Sequence, residues 1–207
     1  MSNVWFTADT HFGHRKAAEF RGFESVDMMD RILTDRWNER VRRGDRIYIL
    51  GDIVLHKDPV YTLSILERLN GQKYLLRGNH DTLVLDKGYL REQFVWIKDV
   101  FMLKVEDETS PVALQNGKTY IWLSHYAHRV WSMSHLGSCH LYGHSHNYLK
   151  DLEYRRSFDV GVDAVGAPGP LVNSTPLAPV PLGEVLAAMG RKQWKCPHSR
   201  RDEKWVD

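Results

Sequence analysis

Five short runs rich in β-branched, aromatic and leucine residues are each followed within two positions by an aspartate, asparagine or histidine. We predict these runs to be strands, and they occupy residues 4–8, 46–50, 73–77, 119–123 and 139–142. The polar residues that follow them are Asp9 and His11, Asp52, Asn79 and His80, His125, and His144 and His146. Because ligand sites in open α/β sheets form at the carboxyl ends of strands, the sequence predicts one site that gathers these side chains.

Helical spacing of apolar residues fills the segments between the first three strands. Helices are predicted at 26–41 and 59–69, and the turns Gly44-Asp45 and Asn70-Gly71 lead back into strands. This alternation of strands and helices predicts parallel pairing with right-handed crossovers.

The second half of the chain has a more antiparallel pattern. A short helix near 86–94 precedes a strand at 100–105, a polar turn at 106–111 and an extended segment at 112–115. Asn116-Gly117 is a hairpin signal. A sixth strand at 157–162 and a last helix at 182–189 complete the prediction, so we expect a mixed α/β sheet arrangement.

Length and charge limit the classes of protein that the chain can belong to. Its 207 residues predict a single domain at 1–190 followed by a charged tail at 191–207. The formal net charge of +2 does not favour a nucleic-acid partner. No apolar stretch is long enough to span a bilayer, so we expect no membrane partner. Cys139 and Cys196 form no CxxC pair. With no signal peptide in the pattern, we expect a cytoplasmic location.

The predicted cluster has the ligand chemistry of a metal centre. In Asp9-x-His11 and His144-x-His146, extended residues two apart point the same way, so each pair can reach one ion. Carboxylate, imidazole and amide oxygen suit Mn, Fe, Zn or Ni. Seven such ligands exceed the needs of one tetrahedral ion but suit two ions that share a bridging carboxylate, which lie ~3.5–4 Å apart in hydrolases.

Simpler interpretations exist for each residue alone. A single histidine is more often structural than metal-bound, and Asp9 and Asp52 could be helix N-caps after strands. Capping does not explain the four histidines that accompany them. The joint pattern therefore favours the metal site.

The succession Asp9-x-His11, Gly51-Asp52, Gly78-Asn79-His80-Asp81, Ser124-His125 and Gly143-His144-x-His146 resembles the signature of calcineurin-like metallophosphoesterases. It spans positions 9 to 146, and the phrases at 8–14 and 159–164 are similar to a compact, mostly microbial branch of that family. The resemblance implies a sandwich of two mixed β-sheets flanked by helices (αββα). It also implies two divalent metal ions, with manganese the first choice.

The resemblance assigns a role to each position. Asp9, His11 and His146 would hold one metal, Asn79, His125 and His144 the other, and Asp52 would bridge them. A metal-bridging hydroxide would then attack phosphorus in a phosphodiester or phosphomonoester. His80 would protonate the leaving group, oriented by the carboxylate of Asp81.

Further residues are weaker candidates for substrate binding or support. They are His14, Arg15, Arg77 and His128 for the substrate, and Asp159 and Asp163 for support of the site from the last strand. Short segments between the motifs favour an open site and a small phosphate-ester or nucleotide substrate. Two alternatives stay open: a nuclease acting on DNA or RNA, and a catalytically silent metal-binding scaffold.

Overall fold

A computed structural model describes residues 3–196. Within that range the chain forms nine strands: β1 Val4–Thr7, β2 Arg46–Ile49, β3 Gln72–Leu76, β4 Trp96–Lys98, β5 Val100–Glu106, β6 Lys118–Ser124, β7 Cys139–Tyr142, β8 Ser157–Asp159 and β9 Val180–Pro181. The helices in the same range are α1 Arg15–Phe20, α2 Val26–Arg40, α3 Pro59–Arg68, α4 Thr82–Asp86, α5 Gly88–Arg91 and α6 Leu182–Gly190, with a 3₁₀ turn at Ser134–Leu136.

The strands form two mixed sheets, as predicted. The first has the order β4-β3-β2-β1-β9, in which β1 to β4 are parallel and β9 is antiparallel to β1. The second has the order β5-β6-β7-β8, in which β5 is antiparallel to β6 and the other pairs are parallel. The carboxyl ends of β1, β2 and β3 therefore lie side by side.

Alternation along the strands divides the core into two parts. Successive side chains of a strand point to opposite faces. Trp5 packs in a cluster with residues of α2 and α3, such as Trp37 and Leu66. Its neighbour Phe6 packs in a second cluster with Leu123 of β6 and other residues of the second sheet. One face of the first sheet is thus covered by helices and the other by the second sheet.

Local signals explain where the two longer helices of the first half begin. Ser25 caps α2 by accepting a hydrogen bond from the backbone N–H of Met28. Asp58 does the same for Val60 at the start of α3, where Pro59 occupies the first turn. Both helices end within one residue of their predicted ends.

The two longer helices and the predicted strands are confirmed, except that the strand predicted at 157–162 ends at Asp159; several short elements also differ. The helix predicted at 86–94 is instead two short helices: α4 begins earlier, at Thr82, and α5 ends earlier, at Arg91. Residues 112–115 are not extended: they lie in turns between β5 and β6, and Gly117 donates to the carbonyl of Leu114. The sequence did not predict α1, β4 or β9, because each is too short to show a period.

Residues 197–207, most of the predicted charged tail, lie outside the described residues. Between residues 3 and 196, no helix has both the length and the apolar character that crossing a membrane requires.

Asp45 joins the amino ends of three parallel strands, opposite the predicted site. Its buried carboxylate accepts hydrogen bonds from Asn3 N (2.9 Å), Trp5 Nε1 (3.0 Å) and Arg42 N (3.0 Å). Its carbonyl accepts from Gln72 N at 2.7 Å. One residue therefore fixes the starts of β1, β2 and β3.

Asp45→Ala is expected to lower the free energy of unfolding by roughly 3 kcal/mol, because it leaves three donors without their charged acceptor. Urea denaturation measures the change. Asp107→Ala is the matched control, since Asp107 also accepts two hydrogen bonds in a turn, but from the exposed Thr109. Equal losses in the two variants would contradict this role for Asp45.

Candidate metal centre

Two groups of potential metal ligands lie at the carboxyl ends of strands from both sheets. Asp9, His11 and His146 form one group, in which each residue offers a donor atom within 4.8 Å of the others. Asp52, His125 and His144 form the second group by the same measure. Each group combines carboxylate with imidazole, which suits a divalent transition metal.

Asp52, a member of the second group, also approaches the first. Its Oδ2 atom is 3.8 Å from Nε2 of His11 and 3.6 Å from Nε2 of His125. The carboxylate of Asp52 is only 2% exposed. Asn79 adds its amide oxygen to the second group, with Oδ1 3.0 Å from Nε2 of His125. The structure thus brings all seven predicted ligand side chains to one place.

Five of these residues have a left-handed backbone. The φ angles are 54° at Asp9, 49° at His11, 57° at Asp52, 66° at His144 and 44° at His146. Residues with a Cβ atom rarely adopt this conformation, and such strain concentrates at functional sites. The strands β1, β2 and β7 are therefore each followed by a sharp turn at the site.

Two glycines allow the loops to approach each other. A Cβ atom at Gly78 would overlap Oδ1 of Asp52, and one at Gly51, which has φ +92°, would overlap the ring of His125. A side chain at either position would push the ligands apart.

Hydrogen bonds fix the orientation of two ligand imidazoles. Nδ1 of His125 donates to the carbonyl oxygen of Leu50 at 2.7 Å. Nδ1 of His146 lies 2.7 Å from Oδ2 of Asp163. In both rings the other nitrogen, Nε2, is left to face a metal, as is usual for metal-binding histidines.

Arg21 supports the site, and sequence reasoning missed it. Its guanidinium, 4% exposed, donates to both carboxylate oxygens of Asp163 at 2.7 and 2.8 Å. It also donates to the carbonyl oxygens of Asp9 (2.7 Å) and Thr10 (2.8 Å). Nothing local marks this arginine, because it stands at the end of a six-residue helix that the sequence did not predict.

Asp163 is kept ionised by its neighbours. Burial alone would raise the pKa of this carboxyl, but the hydrogen bonds from Arg21 and His146 lower the pKa to about 2. Asp159, the other acidic residue expected to give support, accepts from Ser145 Oγ at 2.6 Å and from Asn147 N at 3.2 Å. It thereby holds the loop that carries His144 and His146.

Asp81 joins two loops of the site. Its carboxylate is fully buried and accepts from the backbone N–H groups of Gly78 (2.8 Å), Asp52 (3.0 Å) and Ile53 (3.1 Å). Both oxygens are therefore directed to backbone donors, and Asp81 joins the loops after β2 and β3. That the carboxylate of Asp81 also orients the imidazole of His80 stays a prediction.

His80 itself is exposed on the open side of the site. Its backbone N–H donates to Oδ1 of Asp52 at 2.8 Å, and its ring centroid lies 5.6 Å from that of His11. The imidazole thus stands beside the first ligand group with access to solvent.

The electrostatics of the site fit bound cations. Burial, with Asp159 and Asp52 nearby, raises the pKa of Asp9 well above its usual value. Burial, together with the neighbouring His146 and Arg21, lowers the pKa of His11 to about 3. Oδ1 of Asp9 is buried, and no hydrogen-bond partner for it occurs in residues 3–196. A divalent cation would satisfy this oxygen, and it favours ionised aspartate and neutral histidine.

The four predicted substrate-binding residues lie in different surroundings. His14 is near the centre, its ring centroid 5.7 Å from that of His11. Arg77 forms an ion pair with Asp99 and lines a cavity beside the second ligand group, together with His128. The ring of His128 accepts from Trp122 Nε1 at 3.0 Å. Arg15 pairs with Glu19 on the exposed side of α1.

Comparison with known proteins identifies the family. The sequence profile of the calcineurin-like phosphoesterases matches residues 2–165. Gene 66 protein of Mycobacterium phage D29 is 32% identical over 181 residues, covering 79% of this chain and 89% of that protein. Gene 66 protein of Mycobacterium phage L5 is 29% identical over 184 residues, with 80% and 89% covered. The chain therefore belongs to the calcineurin-like phosphoesterase family.

A solved structure shows the same fold. A protein of unknown function, AQ665 from Aquifex aeolicus, superposes with a TM-score of 0.58 at 20% identity and covers 89% of this chain and 98% of that one. At this identity the likeness concerns the fold alone.

Arg21→Met is expected to weaken metal binding by roughly 10- to 100-fold, because loss of its hydrogen bonds frees Asp163 and the loop of Asp9. Calorimetric titration of metal-free protein with Mn²⁺ measures the affinity. Arg31→Met, which changes an exposed arginine of α2, is the control. If both variants bind Mn²⁺ like the wild type, the support assigned to Arg21 is wrong.

Proposed function

We propose that this chain is a dinuclear metal-dependent hydrolase of phosphodiester or phosphomonoester bonds. The observation that carries the proposal is the position of Asp52 Oδ2, within 3.8 Å of a histidine nitrogen from each ligand group. A carboxylate in that position is suited to bridge two ions. Asp9, His11 and His146 would hold one ion, and Asn79, His125 and His144 the other.

The donor set decides which ions fit. Four imidazoles, two carboxylates and one amide oxygen suit borderline divalent metals, with Mn²⁺ first and Fe²⁺, Ni²⁺ or Zn²⁺ as alternatives. When bound, such a pair supplies Lewis-acid polarisation of phosphoryl oxygens and a hydroxide nucleophile near neutral pH.

The remaining chemistry belongs to the protein's own side chains. His80 is the proposed general acid: its imidazole donates a proton to the leaving-group oxygen. It is exposed and lines the same cavity as His11 and His146, so it can reach an ester bound at the first ligand group. The bond from its N–H to Asp52 fixes its backbone relative to the bridging carboxylate. Asp81 acts through the loops and is a positioning residue.

Side chains with hydrogen-bonding groups line both sides of the site and can contact a phosphate ester. His14 stands on the side of the first ligand group, and Arg77 and His128 line the cavity on the side of the second. Both sides are open to solvent, which is consistent with a small phosphate ester.

Metal-free protein reloaded with Mn²⁺ is expected to hydrolyse bis-p-nitrophenyl phosphate or p-nitrophenyl phosphate. Asp52→Asn should lose bound metal and activity together. Metal affinity and activity should each fall by more than the roughly 10–100-fold expected when a residue outside the ligand shell is lost. Bound metal per chain and kcat/KM are the measurements. Two bound metals with no turnover on any ester, with each of Mn²⁺, Fe²⁺, Ni²⁺ and Zn²⁺, would favour the silent scaffold over the enzyme.

His80→Ala is expected to keep its metals and to lose ~10²–10⁴-fold in turnover of phenyl phosphate, whose leaving group needs a proton. The loss on p-nitrophenyl phosphate should be smaller, because p-nitrophenolate leaves without protonation. His135→Ala, an exposed histidine of the 3₁₀ turn, is the matched control. Equal losses on the two substrates would contradict the role of His80 as the acid.

A further inference from the structure

A cavity of about 280 Å³ opens beside the first ligand group. Its inner wall includes His11, His146 and His80, and its outer wall includes Lys16, Phe20 and Tyr148. Ligand pockets combine apolar walls with a few polar groups that fix orientation. The cavity therefore connects the candidate metal centre to an outer surface that carries aromatic side chains.

Two exposed aromatic side chains form that outer surface. Phe20 is 57% exposed and Tyr148 is 80% exposed, and their ring centroids are 6.3 Å apart with 43° between the ring planes. Exposed aromatic rings that cluster at a cavity are typical of binding sites. We call the pair Phe20 and Tyr148 the aromatic pair.

The aromatic pair contrasts with Tyr126 on the other side of the centre. The ring of Tyr126 packs edge-on against the ligand histidines His125 and His144, with centroids 4.9 and 4.7 Å away. Its hydroxyl lies 3.4 Å from Oδ1 of Asn79. Tyr126 is thus engaged with the ligands themselves, whereas Phe20 and Tyr148 face the mouth of a cavity.

The position of the aromatic pair is tied to the metal centre. Phe20 is the last residue of α1 and directly precedes Arg21, which binds the backbone of Asp9. Tyr148 lies two residues after His146, and its N–H donates to the carbonyl of Ser145 at 2.7 Å. The backbones of both aromatic residues are therefore tied to the loops that carry the first ligand group.

We propose that this cavity binds a planar aromatic group, of the size and shape of a nucleobase, carried on the leaving side of the phosphate ester. The assignment of this group to the leaving side rests on the proposed function. His80, the proposed acid, lines the same cavity, so the group held there is the one that departs with the protonated oxygen. Stacking between a base and aromatic side chains is tolerant of sequence and contributes substantially to binding. The Lys16 ammonium at the rim attracts the anionic ester.

Binding of the leaving alcohols alone tests the subsite without turnover. The probes are adenosine and ribose, which share the sugar but differ in the aromatic base. Each is titrated into Mn²⁺-loaded protein, and dissociation constants are measured by ligand-observed NMR. The proteins are the wild type, Phe20→Leu, Tyr148→Leu and the control Tyr89→Leu, which changes an exposed tyrosine on α5. Leucine keeps an apolar side chain but removes the ring.

The wild type and Tyr89→Leu are expected to bind adenosine but to show no saturable binding of ribose. Phe20→Leu and Tyr148→Leu should each weaken adenosine binding about fivefold to hundredfold, the range that loss of one stacking contact gives. Unchanged adenosine binding in both leucine variants, or no adenosine binding by the wild type, would overturn the subsite. A protein that binds adenosine through the aromatic pair but hydrolyses no ester would contradict only the proposed function.

Discussion

Two carboxylates, Asp9 and Asp52, are buried at the ends of neighbouring parallel strands, and the rest of the site follows from that arrangement. Burying a charge is unfavourable unless it is paired and hydrogen-bonded. The chain meets part of this requirement with backbone donors: His144 N to Asp9 Oδ2 at 2.7 Å and His80 N to Asp52 Oδ1 at 2.8 Å. The raised pKa of Asp9 shows that these donors do not meet it fully. Cations held at the two candidate ligand groups, as proposed, would supply what is missing.

Those backbone donors also connect the loops. His144 follows a strand of the second sheet and binds a carboxylate of the first, while His80 follows β3 and binds a carboxylate that follows β2. Asp81 repeats the pattern from β3 to β2, and Arg21 connects the loop of Asp9 to Asp163. Charged side chains of the site are therefore hydrogen-bonded to the backbones of neighbouring loops. Because several such contacts fix each loop, the left-handed φ angles at the candidate ligands are tolerated.

The sequence predicted those parts of the fold and site that depend on local pattern. The strands at 4–8 and 46–50 are marked in the sequence by β-branched and aromatic residues next to a turn, and Asp9 and Asp52 follow their ends. Arg21 and the backbone contacts of Asp81 could not be predicted, because they depend on which loops meet in space. The segment 112–115 appeared extended by its apolar content, yet it lies in turns, where Ser110 and Thr119 form a buried hydrogen bond between their hydroxyls. The conformation of such a segment depends on its tertiary contacts more than on its β-propensity.

The ligands come from both sheets, and this has a thermodynamic consequence. Asp9, Asp52 and Asn79 follow strands of the first sheet, whereas His125 and His144 follow strands of the second. The two sheets otherwise meet through an apolar cluster that includes Phe6 and Leu123. A ligand that binds only the folded state adds RT ln(1 + [L]/Kd) to its stability, about 2.7 kcal/mol at 100 times Kd. Since each ion at this edge would draw on side chains from both sheets, that free energy acts on the packing of the sandwich as a whole and not on a single loop.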